Sequence, residues 1–252
     1  MRADAFAPYA ALAEFLLPHA APDNDGAHDI GHLQRVWRNA KAIHAVEGGD
    51  GEVLLAATLL HDCVNFEKTS PHRARASTFA AEKAGFILAQ YGWGSGRIGQ
   101  VAHAVRAHSY SAMIAPETLE AKILQDADRL DALGMIGIAR CFYVAGQLGT
   151  SLYDPVDPEA KRRLPEETRY AVDHICTRLL GLAEGFHTPT GSRLACEREW
   201  RLQYFTDSFF EEIGCPNPLA ARRAAAEDAA VLQFNPRRRG ATSSPAEQMG
   251  VA

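Results

Sequence analysis

Helical periodicity running almost unbroken from Phe6 to Ile213 limits what this chain can fold into more than any other feature. Phe6, Tyr9, Ala13, Leu16 and Leu17 recur at three- and four-residue steps, and Pro18 is expected to close that segment. Asp29 can cap a second helix whose apolar face is Ile30, Leu33, Val36, Trp37, Ala40 and Ile43, with Gly48-Gly49 ending it. Glu52 to about Val64 is apolar nearly all round, and two further helical segments are expected at about 74–91 and 98–108. Pro116 fits the first turn of a helix carrying Leu119, Ile123, Leu124, Ala127 and Leu130, a pattern continued by Ile136, Ile138, Phe142 and Val144. Three prolines after Gly149 predict a long surface loop, followed by helices over about 166–185 and 190–213.

No run of alternating β-branched residues is bounded by turn signals, and no repeat recurs at a fixed period. The expected fold is therefore all-α, a single-domain helical bundle around one core. The domain is expected to occupy 1–215, with a motif core at 28–140 and C-terminal helices at 166–213. A short helical extension should fill 216–234. Residues 235–252 carry almost nothing to bury and are expected to form a disordered tail.

Charge narrows the partners: 26 basic against 31 acidic residues give −5, no field for holding a nucleic-acid polymer. The longest apolar runs, such as Val53 to Leu60, fall far short of the roughly 20 residues of a membrane span. The first residues lack a basic stretch followed by an apolar one, so a cytoplasmic location is expected. Five scattered cysteines without a CxxC pair argue against a disulfide framework or a zinc ribbon. The aromatic residues Trp200, Tyr204, Phe205, Phe209 and Phe210 recur at helical spacing as core or as the face of a homodimer.

Histidine carries the chemistry. His61-Asp62 follows directly on a buried apolar helix, and a carboxylate buried there must be paired or bind a metal. Neighbouring side chains diverge by about 100° on a helix, so both can reach one ion off its flank. His32 and the aspartates of Gln125-Asp126-Ala127-Asp128-Arg129-Leu130-Asp131 can supply further ligands, a mixture suited to divalent transition metals. Asp126 and Asp128 lie two apart and face different sides, so one of them should reach the ion.

This ordered set resembles the HD-domain superfamily of metal-dependent phosphohydrolases. His28-Asp29-Ile30-Gly31-His32-Leu33-Gln34-Arg35-Val36 is similar to a bacterial subfamily's HDxxHxxRV opening. His61-Asp62-Cys63-Val64-Asn65 with Lys68 and Ser77, the Asp126-to-Ala132 segment, Ile136-Gly137-Ile138-Ala139-Arg140 and the helix start at Thr188 to Arg198 also resemble it. The likeness spans about 20–213. It implies that His32, His61, Asp62 and Asp128 bind one divalent ion of manganese, iron, nickel, cobalt, zinc or magnesium, which activates water and polarises a phosphoryl oxygen. Asp131, three residues after Asp128, would then orient a ligand histidine, and Asp126 would pair with a nearby cation.

In the same resemblance Arg35 and Lys68 are candidate phosphate donors, Arg35 because its planar fork matches phosphate bidentately. The competing reading pairs Arg35 with Asp29 or Glu47. His108, in Ala107-His108-Ser109, is expected to contact phosphate or donate a proton, whereas His103 is expected to be structural. No adjacent pair of histidines supports a second ion there. The implied substrate is a small phosphorylated molecule, a nucleotide, cleaved from triphosphate to monophosphate plus pyrophosphate. Alternatives are a nucleotide phosphomonoesterase, a di-iron oxygenase needing extra ligands, and a nucleotide-binding module without turnover.

Overall fold

The computed structural model describes residues 3–20, 29–64, 66, 72–109 and 112–216. His28, Asn65 and Lys68 lie outside them, as does 217–252, which holds the expected tail and nearly all of the expected extension. Nine α-helices appear among the described residues: α1 (Ala10–Ala20), α2 (Ile30–Glu47), α3 (Gly51–Leu60), α4 (Ala76–Gln90), α5 (Ser95–Ala107), α6 (Leu119–Asp131), α7 (Gly134–Leu148), α8 (Ala171–His174) and α9 (Pro189–Glu212). A single parallel bridge joins Ser151 to Tyr170, and no strand occurs among these residues. All five cysteines are free.

Helix α3 is the hub. Asp50 caps it by accepting from the Glu52 and Val53 amides, and every helical residue except Glu52 is buried. It packs against α1, α2, α5 and α6, so no side of it faces water. Full burial of a leucine contributes about 2 kcal/mol, and four leucines of α3 make that contribution. The amphipathic α2 is capped by Asp29, whose side chain accepts the His32 amide at 2.9 Å, and Gly48 closes it onto the His44 carbonyl.

Several boundaries differ from expectation for identifiable reasons. Pro18 lies inside the last turn of α1, which runs on to Ala20; so near the end, proline sacrifices one hydrogen bond without breaking the helix. Thr118, not Pro116, starts α6 by accepting the Ala121 amide. The apolar pattern from Leu119 to Val144 is two helices, because the chain turns a corner at Ala132-Leu133. The helix expected over 166–185 shrinks to α8 and a π-helical turn at Ile175–Leu179. Asp173, inside α8, is held by Arg163 and by the Glu166 amide. The aromatic residues of α9 divide: Phe210 is buried, whereas Trp200 and Tyr204 stack on each other in solvent.

The α6–α7 corner is tight enough to require glycine. A Cβ on Gly137 would lie 2.1 Å from the Ala132 carbonyl oxygen. Gly137→Ala is expected to cost roughly 1–3 kcal/mol, as overpacking does. Thermal melting checks this, and an unchanged midpoint would mean the corner relaxes freely.

Candidate metal centre

Three helix C-termini and one N-terminus meet at one spot. His61 follows the last residue of α3 and His108 follows the last residue of α5; Asp128 and Asp131 occupy the last turn of α6. His32 comes from the first turn of α2. Each helix C-terminus carries about half a negative charge, so the backbone alone favours a cation here.

The local reason for the two capping histidines is the same. The last carbonyls of a helix have no intrahelical partner. His61 Nδ1 donates to the Thr58 carbonyl at 2.8 Å, and His108 Nδ1 donates to the Val105 carbonyl at 2.6 Å, each three residues back. His32 Nδ1 donates instead to Asp131 Oδ2 at 2.8 Å. With the Nδ1 protons committed, the neutral rings present lone pairs at Nε2.

Those Nε2 atoms converge with carboxylate oxygens. His32 Nε2 and His61 Nε2 are 3.3 Å apart, and Asp128 Oδ1 lies 3.5 Å from the first and 4.0 Å from the second. Asp62 Oδ2 is 3.2 Å from His61 Nε2, and its other oxygen is 3.5 Å from His108 Nε2. The ligand atoms form two groups sharing His61, one with His32 and Asp128, the other with Asp62 and His108. Ligands bound at about 2.1 Å to one ion sit about 3 Å apart, so the spacing fits a divalent cation. Two imidazole lone pairs facing each other between carboxylates need a positive charge between them. Burial opposes a charge on His61, but the Asp62 carboxylate, with Asp128 behind it, raises the ring to about 9. Burial likewise pushes the Asp62 carboxyl up, and His61 and His108 overcome it, holding it well below the usual carboxylate range.

The sequence expectations distribute as follows. His32 and His61 are fully buried, while Asp62 and Asp128 are about a third exposed and open the site to solvent. Asp128, and not Asp126, comes to the histidines. Asp126 is buried and pairs with no cation among the described residues; it accepts the His187 and Thr188 amides and the Thr188 hydroxyl, anchoring the cap of α9. Arg35 pairs with neither Asp29 nor Glu47 through a salt bridge, but grips Asp131 with Nε and Nη2 at 2.7 and 3.0 Å. His103 accepts the Glu117 amide at 2.9 Å, a structural role.

The sequence reading missed the supporting groups. Arg140 donates to Asp131 Oδ2 at 3.1 Å, and Arg129 holds the carbonyls of Leu182, Glu184 and Gly185. Arg198 donates to the Leu130 carbonyl and to Asn39 Oδ1. A histidine directly after a helix is a legible signal for ring-to-carbonyl anchoring. Nothing local in sequence tells which carboxylate Arg140 will find, or that the targets of Arg129 and Arg198 include carbonyls 53 to 68 residues away.

A helical chain that gathers histidines and aspartates around a cation-sized gap defines a protein of the all-α kind with a candidate divalent-metal site. The HD domain model matches residues 29–133. Protein YpgQ of Bacillus subtilis strain 168 is 32% identical over 195 residues, covering 76% of this chain and 87% of YpgQ. The chain belongs to the HD domain family. Solved structures agree: an HD-superfamily hydrolase from Bacillus thuringiensis superposes with a TM-score of 0.62 at 27% identity, over 80% of this chain and 96% of that one. Bacillus subtilis YpgQ in complex with ADP superposes with a TM-score of 0.60 at 25% identity, over 84% and 94%. No helix of the described residues is long and apolar enough to cross a membrane.

Proposed function

We propose that this protein is a metal-dependent phosphohydrolase acting on a nucleotide, cleaving a nucleoside triphosphate to monophosphate and pyrophosphate. The observation that carries the reading is the gathering of His32, Asp128 and Asp62 around His61, whose Nε2 lies within 4.0 Å of a ligand atom of each. The relative solved with ADP supports a nucleotide as the ligand. His32, His61, Asp62 and Asp128 would hold a divalent cation, which would supply Lewis acidity and lower the pKa of a bound water.

The chain's own groups do the rest. Asp131 fixes His32 through Nδ1, and Arg35 and Arg140 lock Asp131 from the other side, so the lone pair of His32 keeps its aim. Thr58 does the same for His61 through its carbonyl. His108, beside Asp62, is the group placed to carry a proton to a leaving oxygen or to hold a phosphate oxygen. Lys68 is the proposed phosphate donor from the segment after Asp62. The test is product analysis of a nucleotide panel incubated with Mn²⁺-loaded protein. Pyrophosphate with monophosphate is the expected result; orthophosphate alone would replace the pyrophosphohydrolase by a phosphomonoesterase.

A further inference from the structure

A cavity of about 350 Å³ lies between α2, the start of α7 and α9. Its wall holds four guanidinium groups, Arg35, Arg38, Arg198 and Arg201, against one carboxylate, Asp131. That carboxylate is already engaged by His32, Arg35 and Arg140. Arg198 donates only to neutral oxygens, those of Leu130 and Asn39, and among the described residues no carboxylate forms a salt bridge with Arg38, Arg198 or Arg201. Burial draws the Arg198 guanidinium below its usual value; the Asp131 carboxylate opposes this and the like charge of Arg201 adds to it. The first turn of α7, beginning at Gly134, also faces the cavity, and no side chain caps it. Amides at a helix start and unneutralised guanidinium groups both favour an anion.

The cavity is not the space between the metal ligands. His61, Asp62, Asp128 and His108 are absent from its wall. It meets the metal site only through Asp131, which touches His32 at Nδ1, on the opposite edge of the ring from Nε2.

We propose that this cavity is a binding site for a phosphate-bearing anion, held by Arg38, Arg198 and Arg201. The volume sits at the low end of the roughly 300–1,000 Å³ of small-ligand sites, which suits a short oligophosphate. The anion is either the far end of a nucleotide whose scissile phosphorus lies at the metal centre or a separate free phosphate. The site does not depend on which bond the enzyme cleaves.

The experiment uses the full chain and inorganic tripolyphosphate, followed by calorimetry with and without Mn²⁺. Arg38 and Arg201 are exposed, so Arg38→Ala/Arg201→Ala should leave the fold intact. Binding without metal is expected, and the double variant should weaken it at least tenfold, with Arg→Lys at both positions restoring part of it. Tripolyphosphate that binds only with Mn²⁺, or equally well to the double variant, would overturn the site. A parallel rise in nucleotide KM at unchanged kcat in the double variant would assign the anion to the substrate. Unchanged KM with the tripolyphosphate site lost would assign it to a free anion. Because binding is read without turnover, failure of the hydrolase reading would leave this result standing.

Discussion

Replacing His61 with alanine is expected to empty the metal centre and lower turnover by more than about a hundredfold. His61 is the residue both ligand groups share, and its Nε2 lies within 4.0 Å of ligand atoms from His32, Asp62 and Asp128. Loss of an outer partner of a metal ligand already costs roughly 10–100-fold, so removing the shared ligand should exceed that. The measurement is metal content per chain together with kcat/KM on the best nucleotide of the panel. Asp62→Ala should behave alike, although Asp62 is a third exposed and its loss opens no internal cavity. Circular dichroism separates lost metal from lost fold. Stoichiometric metal with full activity in either variant would refute the ligand assignment.

Asp131→Asn should show the second large effect, on stability as well as on metal affinity. The side chain is 1% exposed and accepts from His32, Arg35 and Arg140. Neutralising it strands two guanidinium groups that keep only part of their contact with water. Breaking a buried ion pair from one side costs about 3 kcal/mol at the lower end of the usual range. That corresponds to a fall of roughly 6–12 °C in Tm for a chain of this size. Metal affinity should fall roughly 10–100-fold, because His32 loses the acceptor that sets its tautomer.

The pH dependence gives the same residue a second signature. Burial pushes the Asp131 carboxyl up, but the bonds from His32 and Arg35 and the charge of Arg140 hold it well below the ordinary carboxylate range. A depressed folded value means the stabilisation is complete above the unfolded value of about 3.9 and drains away as pH falls through the folded one. The gap in Tm between wild type and Asp131→Asn should therefore be constant near neutrality and shrink below about pH 4. A gap that does not change with acid would mean the carboxylate carries no charge-dependent stabilisation, and Asp131→Glu serves as the control that keeps the charge.

Most of the scaffold is legible in sequence because helices are local. Asp29 and Asp50 cap with their own side chains, within three residues of the amides they serve. The apolar faces of α2 and α6 repeat at the helical period, and the buried run of α3 needs no partner to be recognised. What failed were boundaries, above all 166–185, where only Ala171–His174 is α-helical and Ile175–Leu179 forms a π-helical turn.

The segment Asp126 to Asp131 shows where reading along the chain ends. Its four charged residues lie within six positions, yet a helix turns about 100° per residue, so only Asp128 and Asp131, three apart, share the face toward His32. Asp126 goes to the cap of α9, Asp128 to the histidines, Arg129 to the carbonyls of 182–185, and Asp131 to His32, Arg35 and Arg140. Residue types and spacing were enough to mark an all-α chain and to single out His32, His61, Asp62 and the 126–131 aspartates as candidate metal-binding groups, since helical periodicity and donor chemistry are local. Which aspartate reaches the histidines, and that Arg38, Arg198 and Arg201 share one cavity, depends on how α2, α6, α7 and α9 pack. That packing is decided by side-chain contacts up to 159 residues apart, as between Asn39 and Arg198, and no local pattern encodes them.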